Sequence, residues 1–431
     1  MLASLIAAFR LPDLRKRILF LFIMFGVYAV GLHIPVPGIN QDAMNRLFSQ
    51  GGLLGMLDVF SGGALKKYTI FAMGIGPYIN ASIIMQLLTV AVPQLEALAK
   101  EGEHGRKKIS QYTRYMTIFL GLFQAYGMNK LLAGQGILDA TPFTFVQIVL
   151  TLTAGTAFLM WVGEQITDKG IGNGVSLVIF AGIAASLGPQ LYNTGMLLKS
   201  HSFSVFGVIG MGVLFIGTIV GIIAIQQAQR KIPIQHVKRV VGNKVYQGSS
   251  SFLPLRVNSA GVIPIIFAIS IQLFPATIAQ FVGRNVKIGS WAVGEWFTKL
   301  ANNLSPGATW YAAAIYVVLI ILFTYFYTAV TFNVPEVVDN LKKYGSFIPG
   351  IRPGKPTLEY LDRVMSRITL AGAIFLSIIA LLQYISPALT GVTTFRLAGG
   401  TSLLILVGVA LETMQAIEAH LLMRHYEGFI K

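Results

Sequence analysis

The stretch Leu65–Val92, LKKYTIFAMGIGPYINASIIMQLLTVAV, decides how the rest of the chain is read. Its apolar length suits a membrane span, which needs roughly 20 residues to cross ~30 Å of hydrocarbon. Yet Gly74, Gly76, Pro77 and Asn80 stand where a plain span would carry Leu or Val, and Lys66 and Lys67 close one end. Just ahead lies DVFSGGALKK, too apolar for an ordinary loop and too rich in glycine for a stable helix. Interrupted spans are tolerated where neighbouring helices or a cavity satisfy the freed backbone groups.

Composition agrees with a membrane setting. The 431 residues are 54% hydrophobic and only 12% charged, with a mean hydropathy of +0.68. A soluble domain carries about 25% charged residues. The net charge of +16 arises from 33 Lys and Arg against 17 Asp and Glu, so its placement must be settled before a nucleic-acid partner is considered. Cysteine is absent, which excludes disulfides and thiolate metal sites. The opening MLASLIAAFRLPDLRKRILFLF is expected to be an interfacial helix over Leu2–Phe9 followed by a first span from Ile18, and not a cleaved signal peptide.

Ten spans are predicted: 18–36, 70–92, 112–132, 144–164, 172–192, 204–226, 259–282, 308–332, 367–387 and 398–419. An even number places both termini on one side. With a cytoplasmic N-terminus, 24 of the Lys and Arg fall on the cytoplasmic face and 9 on the other. The positive-inside rule then orients both termini to the cytoplasm. Topology and contact with anionic lipids absorb most of the basic charge. Two loops, 227–258 and 333–367, exceed that explanation. Each runs beyond 30 residues, mixes basic with apolar side chains and is stiffened by prolines. Structureless loops of that length are uncommon and often functional, and these are read as a docking surface for a cytoplasmic partner.

Ionisable groups inside spans mark proton relays or ion sites, and the expected span interiors hold almost none. Glu164, Glu412 and Glu418 lie toward span ends, and the six His residues fall in loops or near ends without metal-ligand spacing. No GxSxG, Walker loop or intramembrane Asp pair occurs. No enzymatic activity is expected. Gly, Asn, Ser, Thr and Gln populate the spans instead. Helix packing accounts for many of them, but not for their concentration in the second and fifth spans.

Cutting the chain after the fifth span gives two five-span sets, 1–200 and 201–431, the second inverted relative to the first. The second span of each set carries a shared pattern: GIGPYINASI (Gly74–Ser82 and Ile83) and GVIPIIFAIS (Gly261–Ser270) both fit G-x-x-P-x-I-x-A. Transporter-like folds place broken helices at matching positions around a pathway, so spans two and seven are candidate walls. Proline at Pro77 and Pro264 is expected to free a carbonyl and bend each helix. Ile75 and Ile79 share a helical face, and Ile179 and Ile183 repeat the spacing. Isoleucine is also an ordinary lipid-facing residue, and spacing alone leaves both readings open.

The chain resembles the SecY family, the central channel subunits of the bacterial protein translocase, along nearly its whole length. The matching stretches, in order, are LRKRILF, DVFSGGAL, GIGPYINASIIMQLL, GIGNGVSL, AGVIPIIFA, PGIRPG and GGTSLLI. The resemblance implies an all-α integral membrane protein of ten transmembrane helices, in two inverted pseudo-symmetric halves around a central hourglass pore. It implies a plug over about 55–67, including Phe60, Ser61, Gly62, Gly63, Ala64 and Leu65. It implies an apolar pore ring of Ile75, Ile79, Ile179, Ile183, Ile266 and Ile405, which suits a constriction that dewets and binds no sequence tightly. A lateral gate would include Asn80, Ser82, Ile83, Gln86 and Phe274. Arg352 in PGIRPG, with Lys238, Arg239 and Tyr426, would dock the SecA ATPase or the ribosome.

The resemblance further implies SecE-like and SecG-like small subunits, preproteins with signal sequences as cargo, a place in the inner membrane and no cofactor. The competing function is a secondary transporter of a small solute. It would need a polar or charged midplane site, which the sequence lacks. A channel for unfolded chains needs a removable seal and a broad cytoplasmic docking face, and the sequence offers a candidate for each.

Overall fold

The computed structural model describes residues 9, 11–49, 58, 61–138, 141–200, 203–236, 239–241, 244–246, 250–282, 293–304, 309–392 and 400–427. Apart from Phe9, the expected interfacial helix lies outside the described residues. Along the chain run α1 (Pro12–Gly31), α2 (Gln41–Ser49), α3 (Gly76–Ala91), α4 (Pro93–Lys100), α5 (Glu103–Gly134), α6 (Pro142–Lys169), α7 (Gly174–Lys199) and α8 (Val205–Gln227). Four strands follow: β1 (Gln229–His236), β2 (Arg239–Val241), β3 (Lys244–Tyr246) and β4 (Ser250–Arg256). The remainder comprises α9 (Ile263–Val282), α10 (Val293–Leu304), α11 (Trp310–Thr331), α12 (Val334–Lys343), β5 (Ser346–Phe347), α13 (Lys355–Thr390) and α14 (Thr401–Glu427).

A helix lies over each of the ten expected spans. Among the described residues, six helices are long and apolar enough to cross a membrane, and α3 with α4, bent by 98° at their junction, would make a seventh. Several helices outrun their spans. Helix α1 starts at Pro12 because proline is preorganised for a first turn, so the basic cluster Arg15–Arg17 lies within it. Helix α13 starts at Lys355, twelve residues before the expected span, and α5 starts at Glu103, where Lys107 pairs with Glu103 at 2.8 Å.

The chain divides into two compact units: Met1–Ser202 with Leu273–Ser305 and Ile405–Lys431, and Phe203–Gln272 with Pro306–Leu404. In the first unit, small residues let backbones touch. A Cβ on Gly174 of α7 would lie 1.8 Å from the Gly163 carbonyl of α6, and one on Gly155 of α6 would lie 2.0 Å from the Ile70 carbonyl. Such approaches are the packing use of small residues in membrane helices. Val36, Met44, Leu65, Tyr68, Leu132 and Leu152 belong to one buried cluster, and the Tyr68 hydroxyl donates to Asn129 Oδ1.

The second unit joins the two long loops. Strand β1 pairs antiparallel with β4, with Ile232 opposite Leu253, and with β5, with His236 opposite Ser346. The order is β4-β1-β5, and β2 pairs with β3 in a separate ribbon. The membrane-spanning part is helical as expected, and the sheets lie between helices. Ile232, Leu255, Val338, Ile348, Leu361 and Met365 form a core that ties β1, β4, α12 and the start of α13 together.

The Gly174–Gly163 contact leaves no room for a methyl group. Gly174→Ala is expected to cost about 1–3 kcal/mol, the usual penalty of overpacking, and to lower the thermal midpoint in detergent. Gly188→Ala, where a Cβ would meet nothing within 4 Å, should leave the midpoint unchanged or raise it. Equal midpoints for the two variants would contradict the close helix contact.

Candidate functional site

Between α2 and α3 the chain is folded without regular helix over residues 61–75, and apart from the exposed Lys66 and Lys67 this segment is buried or half-buried. Ser61, Ala64 and Leu65 are all at most 4% exposed. Asp58 organises the turn. Its carbonyl accepts from Gly63 N at 2.9 Å and Ser61 Oγ at 3.0 Å, and its Oδ1 accepts from Lys66 N at 2.8 Å. Ser61 Oγ in turn accepts from Leu65 N at 3.1 Å. A Cβ on Gly62 would lie 2.8 Å from the Gly182 carbonyl on α7, and one on Gly74 would lie 3.7 Å from Ser61 Cα. The hinge formed by Ser61–Gly63 therefore sits against Gly74 on one side and Gly182 on the other.

The two halves of the G-x-x-P pattern adopt one local geometry. Gly74 and Gly261 have φ of +54° and +64°, which an L side chain rarely adopts. Each is followed by a helix whose second residue is the proline, Pro77 in α3 and Pro264 in α9. This corrects the expected bend. The prolines do not interrupt helices; they stand in first turns, where an amide N–H has no intrahelical partner to lose. The interruption instead falls before the helix, and α3 begins at Gly76 rather than near residue 70. Its far end breaks at Val92, before Pro93, because the residue preceding a proline avoids the helical region.

Of the six isoleucines, four lie close to the hinge in sequence or space. Ile75 caps α3 and is buried, and its carbonyl accepts from Ile79 N at 3.0 Å one turn on. Ile183 is fully buried on α7, and Ile179, one turn earlier, is half-buried. Ile405 is buried in the second turn of α14, in the same unit, and Ile266 is half-buried in the first turn of α9, in the other unit. On α3, Ile83 is buried, Asn80 and Ser82 are half-buried and Gln86 is exposed. Phe274 on α9 is 62% exposed.

Arg352 is exposed at a tight turn between β5 and α13. Gly350 and Gly354 flank it with φ of +80° and +103°. The Arg352 carbonyl accepts from the buried Thr357 Oγ1 at 2.7 Å, which fixes the turn to the first residues of α13. The same turn follows Ile348, a member of the core beneath the sheet. Arg239 lies in β2 and Tyr426 in α14, but their side chains, like Lys238 and Phe60 entirely, lie outside the described residues.

Reading the sequence missed two features. The long loops form one body through β1, β4 and β5, although alternating Ile232 and Ile234 in QRKIPIQH were a strand signal. The aromatic contacts of Tyr28 and Phe71 had no sequence signal, since single aromatics in spans are common.

Comparisons with known proteins agree with one another. The profile of the family described as SecY matches residues 69–414. The Protein translocase subunit SecY of Streptomyces galbus is 45% identical over 450 residues, covering 100% of both chains. Its namesake from Mycobacterium tuberculosis is 44% identical over 450 residues, again with 100% of both covered. Among solved structures, a protein conducting channel matches with a TM-score of 0.62 at 17% identity, covering 94% of this chain and 92% of the other. Sec61 from the canine ribosome-channel complex matches with a TM-score of 0.61 at 17% identity, with the same coverage. These last two likenesses concern the fold.

The Thr357 bond to the Arg352 carbonyl generates a local test. Thr357→Val should quicken amide hydrogen exchange through residues 350–356 by about two- to tenfold, the range set by one neutral hydrogen bond. An unchanged exchange rate would show that the turn is held by its other contacts.

Proposed function

The chain belongs to the SecY family of protein-conducting channels, and on that premise we propose how this multi-pass membrane protein works. Unfolded preproteins cross the cytoplasmic membrane through it, driven by the SecA motor or the translating ribosome. Signal sequences and membrane segments leave it sideways into lipid. Its halves, 1–200 and 201–431, are inverted copies that carry both termini on the cytoplasmic side. SecE-like and SecG-like subunits accompany it, anionic lipids face its basic loops, and it catalyses no reaction of its own.

The observation that carries this reading is the hinge. A non-helical segment centred on the buried Ser61, Ala64 and Leu65 packs against the backbone at Gly74 and Gly182. It is held by local hydrogen bonds to Asp58 and by glycine contacts, which suits a seal that must leave and return. In the proposal, Phe60–Leu65 are the plug. Ile75, Ile79, Ile179, Ile183, Ile266 and Ile405 form a ring that closes on a passing chain without recognising its sequence. Apolar side chains suit that task because a charged ring would retain some polypeptides and reject others. Asn80, Ser82, Ile83, Gln86 and Phe274 flank the lateral exit, where weak contacts part readily. Interhelical polar contacts in membranes average only ~0.6 kcal/mol.

The docking role of Arg352, Lys238, Arg239 and Tyr426 is supported by the way the two loops share a sheet and a core. A platform of that kind can transmit the push of a motor to the helices that follow it, because α13 continues from the Arg352 turn as one helix to Thr390.

Reconstitution with a SecE-like partner and SecA tests the proposal. ATP should drive a preprotein into a protease-protected state, and Arg352→Glu should abolish protection while leaving the protein folded. No protection by the unaltered protein, with an active motor and a competent preprotein, would remove the channel reading; normal protection by the variant would remove Arg352 from the docking surface. Replacing Ile79 and Ile266 together by Asn should raise resting ion conductance and relax signal-sequence selection. Unaltered conductance would take these two residues out of the ring.

A further inference from the structure

Helix α1 reaches the hinge through the side chain of Tyr28. Tyr28 is 4% exposed, and its hydroxyl donates to the Ser61 carbonyl at 3.3 Å. Its ring stacks on Phe71 with centroids 5.9 Å apart and planes within 5° of parallel. Phe71 stacks in turn on Phe158 of α6, at 6.0 Å and 8°. Phe71 cannot step aside. A Cβ on Gly31 would fall 1.9 Å from its Cε2, and one on Gly155 would fall 3.4 Å from its Cδ1. Its neighbours are fixed as well, because Ile70 N donates to Ile34 O at 3.1 Å and Val36 N donates to Tyr68 O at 2.9 Å.

The segment is thus anchored unequally. Residues 68–71 are tied down by backbone bonds and by the aromatic sandwich. Gly62, six or more residues earlier, meets α7 at Gly182, a glycine-to-glycine contact that provides no side-chain grip. The Tyr28 hydroxyl therefore bridges the fixed end and the releasable end. Stacking on Phe71 sets where the phenol points, and the phenol holds the Ser61 carbonyl.

We propose that Tyr28 is a positioning residue for the seal: a latch, registered by Phe71, that sets how readily Ser61–Leu65 departs from the resting channel. The proposal rests on the channel reading for its functional meaning, but not for its measurement. Breaking one neutral hydrogen bond leaves the ring, the stack and the fold in place, so the latch can yield when a signal sequence engages and re-form afterwards.

The absence of cysteine makes the test direct. Leu65→Cys places a single thiol on a residue 4% exposed, and a membrane-impermeant maleimide added from the outer side reads its exposure. In that background Tyr28→Phe should raise the resting alkylation rate about two- to tenfold. Phe71→Leu should raise it in the same direction, and Tyr192→Phe, an exposed tyrosine on α7, should leave it unchanged. During SecA-driven transport, the Tyr28→Phe rate should equal that of the Leu65→Cys parent, because the segment has already left. A resting rate unaltered by both Tyr28→Phe and Phe71→Leu would overturn the latch. A higher rate for Tyr28→Phe in both the resting and the transporting state would overturn it too, by showing general loosening. Failure of the unaltered, cysteine-free protein to protect a preprotein would strike the channel reading alone, since the resting alkylation comparison needs neither motor nor cargo.

Discussion

Non-helical backbone between two membrane helices imposes the constraint on which the first unit depends. A buried amide or carbonyl with no partner costs several kcal/mol in an apolar setting, and residues 61–75 carry many such groups. The structure satisfies them in three ways. Short turns pair Thr69 N with Ala64 O and Gly74 N with Phe71 O. Backbone from the end of α1 reaches across, through Ile34 O and Val36 N. Side chains add to these, with Ser61 Oγ, Asp58 Oδ1 and the Tyr28 hydroxyl each bonded to main chain. The glycines at 31, 62 and 155 follow from this need, because each gives up a Cβ so that the segment can lie close enough to be bonded.

That arrangement suits the removable seal proposed for Ser61–Leu65. Ala64 and Leu65 are buried, and the bonds that locate Ser61–Leu65 are neutral and, the Tyr28 contact apart, local. A seal held by buried ion pairs would be harder to release, since separating one leaves an uncompensated charge. The ion pair of Arg114 with Glu164, at 2.6 Å, instead joins α5 to α6.

The second unit solves a different problem with the same economy. In the docking role proposed for them, loops 227–258 and 333–367 would have to hold their shape when pushed, and β1 pairs with both β4 and β5 over one apolar core. His236 Nδ1 and Ser346 Oγ, 2.7 Å apart, add a side-chain link across the same pair of strands. Arg352 is then displayed by a rigid turn rather than by a flexible loop.

The span positions, the apolar character of the interior and the shared G-x-x-P pattern were legible in the amino-acid sequence because they are local. Hydropathy over some 20 residues follows from composition alone. The glycine three residues before the proline precedes a helix start in both copies of the pattern, where the sequence predicts a bend inside the helix. What no local pattern could carry were the partners. Tyr28 finds Ser61 and Phe71 only after α1 has packed beside α6, and β1 finds β5 across more than a hundred residues of chain. The sequence by itself determined which segments are helices and which backbone is broken. Tertiary structure decided what satisfies the broken backbone, because a hydrogen bond or a ring stack depends on positions in space and not on separation along the chain.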